Sequence, residues 1–385
     1  MKKYIYYSTI FSLCTEAFLY HFIIDIKLFY FFITVNFVLL LIFHKIQFSK
    51  KLNLIYLILF VTGLSSILYK TNTFSSFISQ FAGITFVSLY FFNFFSFFKN
   101  DLLKIVHDYV YLCFILVLVG LPIYIYILLS GRIEGFHSIM NEPAHYSTFV
   151  LPAFFYSFKN KCFPRYIYKT ILFSILLSGS SLAILGLGFS ILISPKEIKI
   201  NRILFSTFIL SFLLIGLYLF YGNFNQRVTD TANGIQSKDL TGANLSSFAF
   251  VSNIFITQKS LENNLLFGSG LGSHEITHQK YLPDIAGIDE FEDYTDLNSK
   301  DANSLLLRTL SDLGIFGFFF IFYFIFRNYY TGSDLKLLYL SRALLLYFFC
   351  KLIREGHYFS PEMYFFIFTY VFLKKGNFKN IFYEN

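Results

Sequence analysis

The chain of 385 residues is 56% hydrophobic and 22% aromatic but only 14% charged, against roughly 25% charged residues in a soluble domain. That deficit runs along most of the chain and excludes an ordinary soluble globular protein. The net charge of +8 is unevenly placed: residues 222–303 hold 11 Asp and Glu against 5 Lys and Arg, about −6, which leaves about +14 elsewhere and argues against a nucleic-acid surface.

Apolar runs recur along the chain at 4–22, 27–43, 52–69, 74–98, 107–130, 144–158, 164–178, 181–194, 203–221, 304–326, 337–353 and 359–373. They predict an all-α polytopic membrane protein of about 12 transmembrane helices. Lys2 and Lys3 precede the first run without a small-x-small cleavage site, so an uncleaved first span is expected. With the N-terminus inside, alternation brings every basic cluster to one face. These are Lys45, Lys50 and Lys51; Lys99 and Lys104; Lys159, Lys161, Arg165 and Lys169; Lys196, Lys199 and Arg202; Arg327 and Lys336; and Lys374, Lys375 and Lys379. Residues 170–193 are long enough for one helix. Splitting them at Ser178, Gly179, Ser180 and Ser181 keeps the basic 195–202 loop inside and the acidic 222–303 loop outside.

Four units follow: five spans in 1–130, an outer loop and spans six to nine in 131–221, a large extracytoplasmic loop in 222–303, and spans ten to twelve with a tail in 304–385. Segments 131–143, 222–303 and 354–358 then share the outer face. Cys14, Cys113, Cys162 and Cys350 are scattered, without a CxxC pair, so neither a disulfide nor a metal site is expected. No internal repeat is visible, which disfavours a transporter of inverted halves.

Candidate chemistry lies at the outer rim. Arg132, Glu134, Asn141, Glu142, Pro143 and His145 sit at a junction of two spans. They read either as a helix start capped by Asn141 or as a carboxylate and guanidinium at the lip of a cavity. Arg308 and Asp312 lie one helical turn apart, as a local ion pair or as cavity-facing groups. Gly314 and Gly317 suit close helix packing. Arg354, Glu355, Gly356, His357 and Tyr358 end a span. They read as an interfacial anchor, or as an anion-binding Arg beside a His that exchanges protons near neutrality.

In the outer loop, residues 246–262 read as a helix. The glycines Gly268, Gly270 and Gly272 follow, where backbone amides suit an anion nest or simply a turn. No Gly-Lys-Ser/Thr follows, so this is not a Walker loop. His274 and His278 lack the Glu of a zinc-binding HExxH pattern. The run Asp289 to Asp293 reads as a solvated acidic loop.

Taken in order, these pieces resemble the O-antigen polymerase and ligase superfamily, meaning the Wzy-type polymerases and their ligase relatives. The resemblance covers about residues 130–370. Its motifs are Asn141-Glu142-Pro143, the turn Ser178 to Ser181, Phe267 to Gly272, Asn303-Ser304 opening a span with Asp312 to Gly317, and Arg354 with Tyr358. Two departures stand out: Ser181 occupies the place of the family's turn Arg, and Arg227 is the nearest arginine ahead of the helix at 246.

The resemblance implies a bacterial inner-membrane enzyme with both termini cytoplasmic. It would polymerise undecaprenyl-pyrophosphate-linked repeat units into O-antigen or capsular polysaccharide, with no cofactor or metal. It implies Arg354 and Arg308 on the pyrophosphate, Arg132 or Arg227 as a further contact, and Glu142 or His357 as base. Gly268, Gly270, Gly272, His274, Asn303 and Tyr358 complete the expected substrate site. The expected partners are the lipid-linked glycan, membrane lipid, a chain-length regulator and a flippase, with no nucleic acid. Two rivals remain: a ligase, whose loss would remove even single surface repeat units, and a non-enzymatic flippase or exporter.

Overall fold

The computed structural model describes residues 1–375 apart from 16, 22–24, 133, 195–199 and 221. Helices dominate these residues: α1 (Lys2–Ser12), α2 (Leu28–Phe43), α3 (Lys50–Leu68), α4 (Phe74–Phe97), α5 (Leu102–Leu129), α6 (Pro143–Lys159), α7 (Arg165–Leu177), α8 (Ser181–Ile193), α9 (Ile200–Phe220), α10 (Gly222–Ser237), α11 (Leu245–Asn263), α12 (His274–Tyr281), α13 (Leu305–Asn328), α14 (Leu335–Ile353) and α15 (Pro361–Lys375). The strands β1 (Leu19–His21) and β2 (Asp25–Lys27) form a small antiparallel hairpin. Lys196, Lys199 and Lys379 lie outside the described residues.

Eleven of the expected apolar segments are helices with ends close to those anticipated. The first is not. Its helix stops at Ser12, where Cys14 and Thr15 donate to the carbonyls of Phe11 and Ser12 at 3.2 and 3.1 Å, a tightened final turn. Beyond it, Leu19–His21 form strand β1, so the 4–22 run is not one helix. The 170–193 stretch divides at Ser178 to Ser180, as expected.

By length and composition, four helical segments among the described residues can cross a membrane: Lys50–Leu68, Phe74–Phe97, Lys99–Leu129 and Leu305–Asn328. The apolar helices α2 and α8 are shorter. The 13 residues of α8 extend about 20 Å at 1.5 Å per residue, less than a hydrocarbon core of about 30 Å. Leu54, Leu57, Val61, Leu64 and Leu68 stand exposed along α3. Apolar side chains left outside a well-packed bundle are what lipid contact requires.

Lysines at several helix ends make contacts between helices. Lys2 lies 5.4 Å from the Phe97 and Phe98 rings, Lys159 lies 5.9 Å from the Tyr339 ring, and Lys374 donates to the Arg327 carbonyl. These contacts join the start of α1 to the end of α4, the end of α6 to the start of α14, and the ends of α13 and α15. The start of α4 and the residues before it meet the 222–303 segment. Ser76 in the first turn of α4 donates to the Gly272 carbonyl at 2.5 Å, and Thr71 donates to the Ser269 carbonyl at 2.8 Å. The segment also has its own small core of Leu240, Phe248, Val251, Ile256, Leu282, Ile285 and Phe291. Phe291 stacks on Phe248 at 4.2 Å, while Asp289, Glu290, Glu292 and Asp293 around it are exposed, in keeping with a solvated acidic run.

One helix is broken where it meets this segment. Gly314 in α13 has φ 62° and ψ −159°, which only glycine adopts readily. The freed backbone groups are taken by the glycine loop. Ser269 and Gly270 donate to the Ser311 and Asp312 carbonyls at 2.9 and 2.8 Å, while Ile315 and Phe316 donate to Leu265 and Leu266 at 3.0 and 3.1 Å. Gly314 is therefore a break filled by protein backbone, not a helix-packing notch. A Cβ on Gly268 would lie 2.5 Å from the Ser311 carbonyl oxygen, at a residue with φ +64°. Gly268→Ala is expected to lower thermal stability by about 1–3 kcal/mol from backbone strain alone. Gly216→Ala, whose Cβ meets nothing within 4 Å, should leave the melting temperature nearly unchanged.

Candidate functional site

The three rim segments converge on the strap 354–360 between α14 and α15. Arg354 caps α14 with extended backbone and faces Glu142, the residue preceding Pro143 at the start of α6, across 3.6 Å. Glu142, not Asn141, occupies the cap position, and it makes no side-chain cap bond. Glu355 follows with φ 67°, unusual for a non-glycine residue. Its amide is anchored on the Asn303 carbonyl at 3.0 Å. Asn303 itself is buried with φ 57°, and its amide donates to Asp301 Oδ1 at 3.0 Å. Asn303 thus holds the strap in place.

Arg308 reaches the same strap from α13. Its side chain is only 3% exposed; Nη1 donates to the Gly356 carbonyl at 2.9 Å, and Nε lies 3.7 Å from Asp312 Oδ2. The guanidinium sits 4.2 Å from the centre of the buried Tyr358 ring. Asp312 is fully buried and takes the anion place in the glycine loop. The Gly272 and His274 amides donate to it at 3.0 Å each, and Ser273 Oγ donates at 3.3 Å. A nest forms there, as its spacing suggested, and its anion is an internal carboxylate.

This corrects the expected roles of Gly268, Gly270, Gly272 and His274 as substrate contacts. Gly268 abuts the α13 backbone, Gly270 abuts Ser66, and Gly272 abuts Ser76 and Gln80. His274 is wholly buried, with Nε2 2.7 Å from Asn253 Oδ1. Burial holds His274 and His278 in their neutral forms, His278 pushed down to about 4. Arg132 is exposed after α5 and makes no side-chain hydrogen bond or ion pair among the described residues. Arg227 donates from α10 to Ser181 Oγ at 3.2 Å. Arg227 thereby brings a guanidinium to the Ser178–Ser181 turn.

A second charged centre escaped sequence reasoning. Lys351, in the last turn of α14, and Glu362, in the first turn of α15, are buried. Lys351 Nζ lies 2.9 Å from Glu355 Oε2, 2.9 Å from Ser360 Oγ and 3.2 Å from Glu362 Oε1. The Tyr347 and Ser360 hydroxyls donate to Glu362 at 3.3 and 2.8 Å, and His145 Nε2 lies 3.8 Å from it. The available signal was ionisable residues inside apolar runs, Arg342 and Lys351 in 337–353 and Glu362 in 359–373. Ligand atoms of His145, Glu355 and Glu362 lie within 4.8 Å of one another, a spacing that suits a metal ion. The Lys351 ammonium already supplies a cation to both carboxylates, and an ion would have to displace it. The network's evident work is to hold both ends of the strap that carries Arg354 and His357.

Beside the strap opens a cleft of about 540 Å³. Arg308 and His357 line it, together with Gln80 of α4, Glu275 and Gln279 of α12, and residues 296 and 298–301. Of the expected substrate residues, Arg308 and His357 reach this cleft. Glu142 and Arg354 form the adjacent ion pair.

No family model matches the chain, and no curated protein sequence matches it.

Proposed function

We propose that this chain polymerises undecaprenyl-pyrophosphate-linked oligosaccharide units on the outer face of the bacterial inner membrane. In this reading it crosses the membrane about twelve times with both termini cytoplasmic. The acidic 222–303 segment is extracytoplasmic. The product is O-antigen or capsular polysaccharide.

The observation that carries the reading is the meeting of Arg354 with Glu142, and of Arg308 with the strap bearing His357, beside one polar cleft. Glu142 comes from the 131–143 segment, Arg354 and His357 from 354–358, and Arg308 from the first turn of α13. The broken α13 adds support, since interrupted helices inside membranes are tolerated where they are buried in protein or line a site.

A hydroxyl oxygen of the acceptor glycan attacks the anomeric carbon of the donor. The bond from that carbon to the pyrophosphate oxygen breaks, and the lipid pyrophosphate leaves with the electron pair. His357, which faces the cleft, takes the hydroxyl proton. Arg354 stabilises charge on the departing group, with Arg227 or Arg132 as a further cation, while Arg308, already paired with Asp312, holds the strap through the Gly356 carbonyl. Fixed cations act most strongly where charge develops in the transition state. Glu142 orients Arg354 rather than serving as base.

Purified protein in liposomes with a lipid-linked repeat unit tests the reading. A ladder of elongated products is expected. Transport of the unit across the bilayer without elongation refutes an enzyme. In cells, a deletion that leaves single surface repeat units supports a polymerase, whereas loss of all surface units identifies a ligase.

A further inference from the structure

We infer that the cleft beside His357 is the acceptor-sugar subsite, and that it takes neutral or amine-bearing sugars and rejects uronate-type acidic ones. This rests on the polymerase reading and names the glycan class that the reading leaves open. A base must lie against the hydroxyl it deprotonates, so the sugar next to His357 is the acceptor.

The lining suits polyhydroxylated sugar. Gln80, Gln279 and Asn298 present amides, Ser299 a hydroxyl, and Glu275, Asp296 and Asp301 carboxylates. The volume falls in the range of small-molecule sites, roughly 300–1,000 Å³, and admits a short oligosaccharide. Gln80 in the lining carries an Oε1 without a hydrogen-bond partner, while Arg308 Nε is turned to Asp312 Oδ2 at 3.7 Å. Unmet buried polar groups are costly unless a ligand or water satisfies them.

The charge is selective. Lys300 lies 3.8 Å from Glu275, and Arg308 is matched by Asp312 at 3.7 Å. Among the described residues, the Asp296 and Asp301 side chains have no Lys or Arg within ion-pair distance. The cleft beyond Arg308 is therefore net negative. It attracts an ammonium group on a sugar and repels a carboxylate.

The test uses full-length protein in nanodiscs and three soluble probes: a glucosamine trisaccharide, its N-acetylated counterpart, and a galacturonate trisaccharide. Binding is read by saturation-transfer NMR titration. The amine-bearing probe should bind about five- to tenfold more tightly than the neutral one, and the galacturonate more weakly than either. The double variant Asp296→Asn/Asp301→Asn should erase the preference for the amine while retaining the neutral probe, because Asn keeps the acceptor oxygens. Galacturonate binding as tight as neutral, an unchanged order in the double variant, or no binding of the amine-bearing probe overturns the assignment. Elongation in liposomes is scored separately. Elongation without probe binding sinks the cleft assignment alone, whereas the expected binding order without elongation leaves a selective sugar-binding cleft but sinks the polymerase reading and, with it, the acceptor role.

Discussion

Replacing Arg354 with Ala is expected to reduce elongation by about 10²–10³-fold, the usual consequence of removing one fixed donor from a developing anion. Protein level and melting temperature should change little. Its ion pair with Glu142 is open to solvent, the two side chains being 26% and 43% exposed, and such pairs contribute only about 0–1 kcal/mol. A large loss of activity with intact folding therefore separates a role on the leaving group from a role in packing. Arg354→Lys should restore part of the rate, because it keeps the charge but not the planar fork that matches pyrophosphate. Polymer of normal length and amount from the Ala variant would remove Arg354 from the mechanism. Glu142→Gln distinguishes the two carboxylate roles. As the partner that orients Arg354, it should cost far less than Arg354→Ala; a loss equal to that of Arg354→Ala would reinstate Glu142 as the base.

The largest effect on stability is expected from Lys351→Met. Lys351 and Glu362 are both nearly inaccessible, and removing the ammonium leaves buried carboxylates without a cation. Breaking a buried pair from one side costs about 3–5 kcal/mol. The purified variant should unfold at a markedly lower temperature and lose activity with it, since the strap bearing Arg354 and His357 is tied at Glu355 and Glu362. Adding Glu362→Gln should recover much of the loss, because the amide keeps acceptors for the Ser360 and Tyr347 hydroxyls and removes a stranded charge. If the double variant is no more stable than Lys351→Met, the pair is not the unit that holds the strap.

Particular residues show how far the chain could be read in advance. The ends of α2 to α9, the helix α11 and the division of 170–193 were legible because apolar runs, glycine and serine breaks and flanking lysines are local signals. The first run misled because hydropathy counts apolar residues and is blind to whether they pair as a helix or as a hairpin. Gly268, Gly270 and Gly272 read as an anion nest or simply a turn; the amides of Gly272 and His274 form the nest, and its occupant is not legible in the sequence. Asp312 lies 40 residues beyond Gly272, and only folding brings the two together.

Composition, run length and charge distribution by themselves determined a helical, membrane-type chain with its acidic residues concentrated in one long segment. Those properties depend on each residue's own solvation and on its near neighbours. Which polar groups meet was decided only by tertiary structure: Asp312 in the glycine nest, Lys351 between two carboxylates, Arg227 at Ser181, and Arg308 and His357 at one cleft. Electrostatic pairing falls off with distance through space, and distance along the chain does not report it.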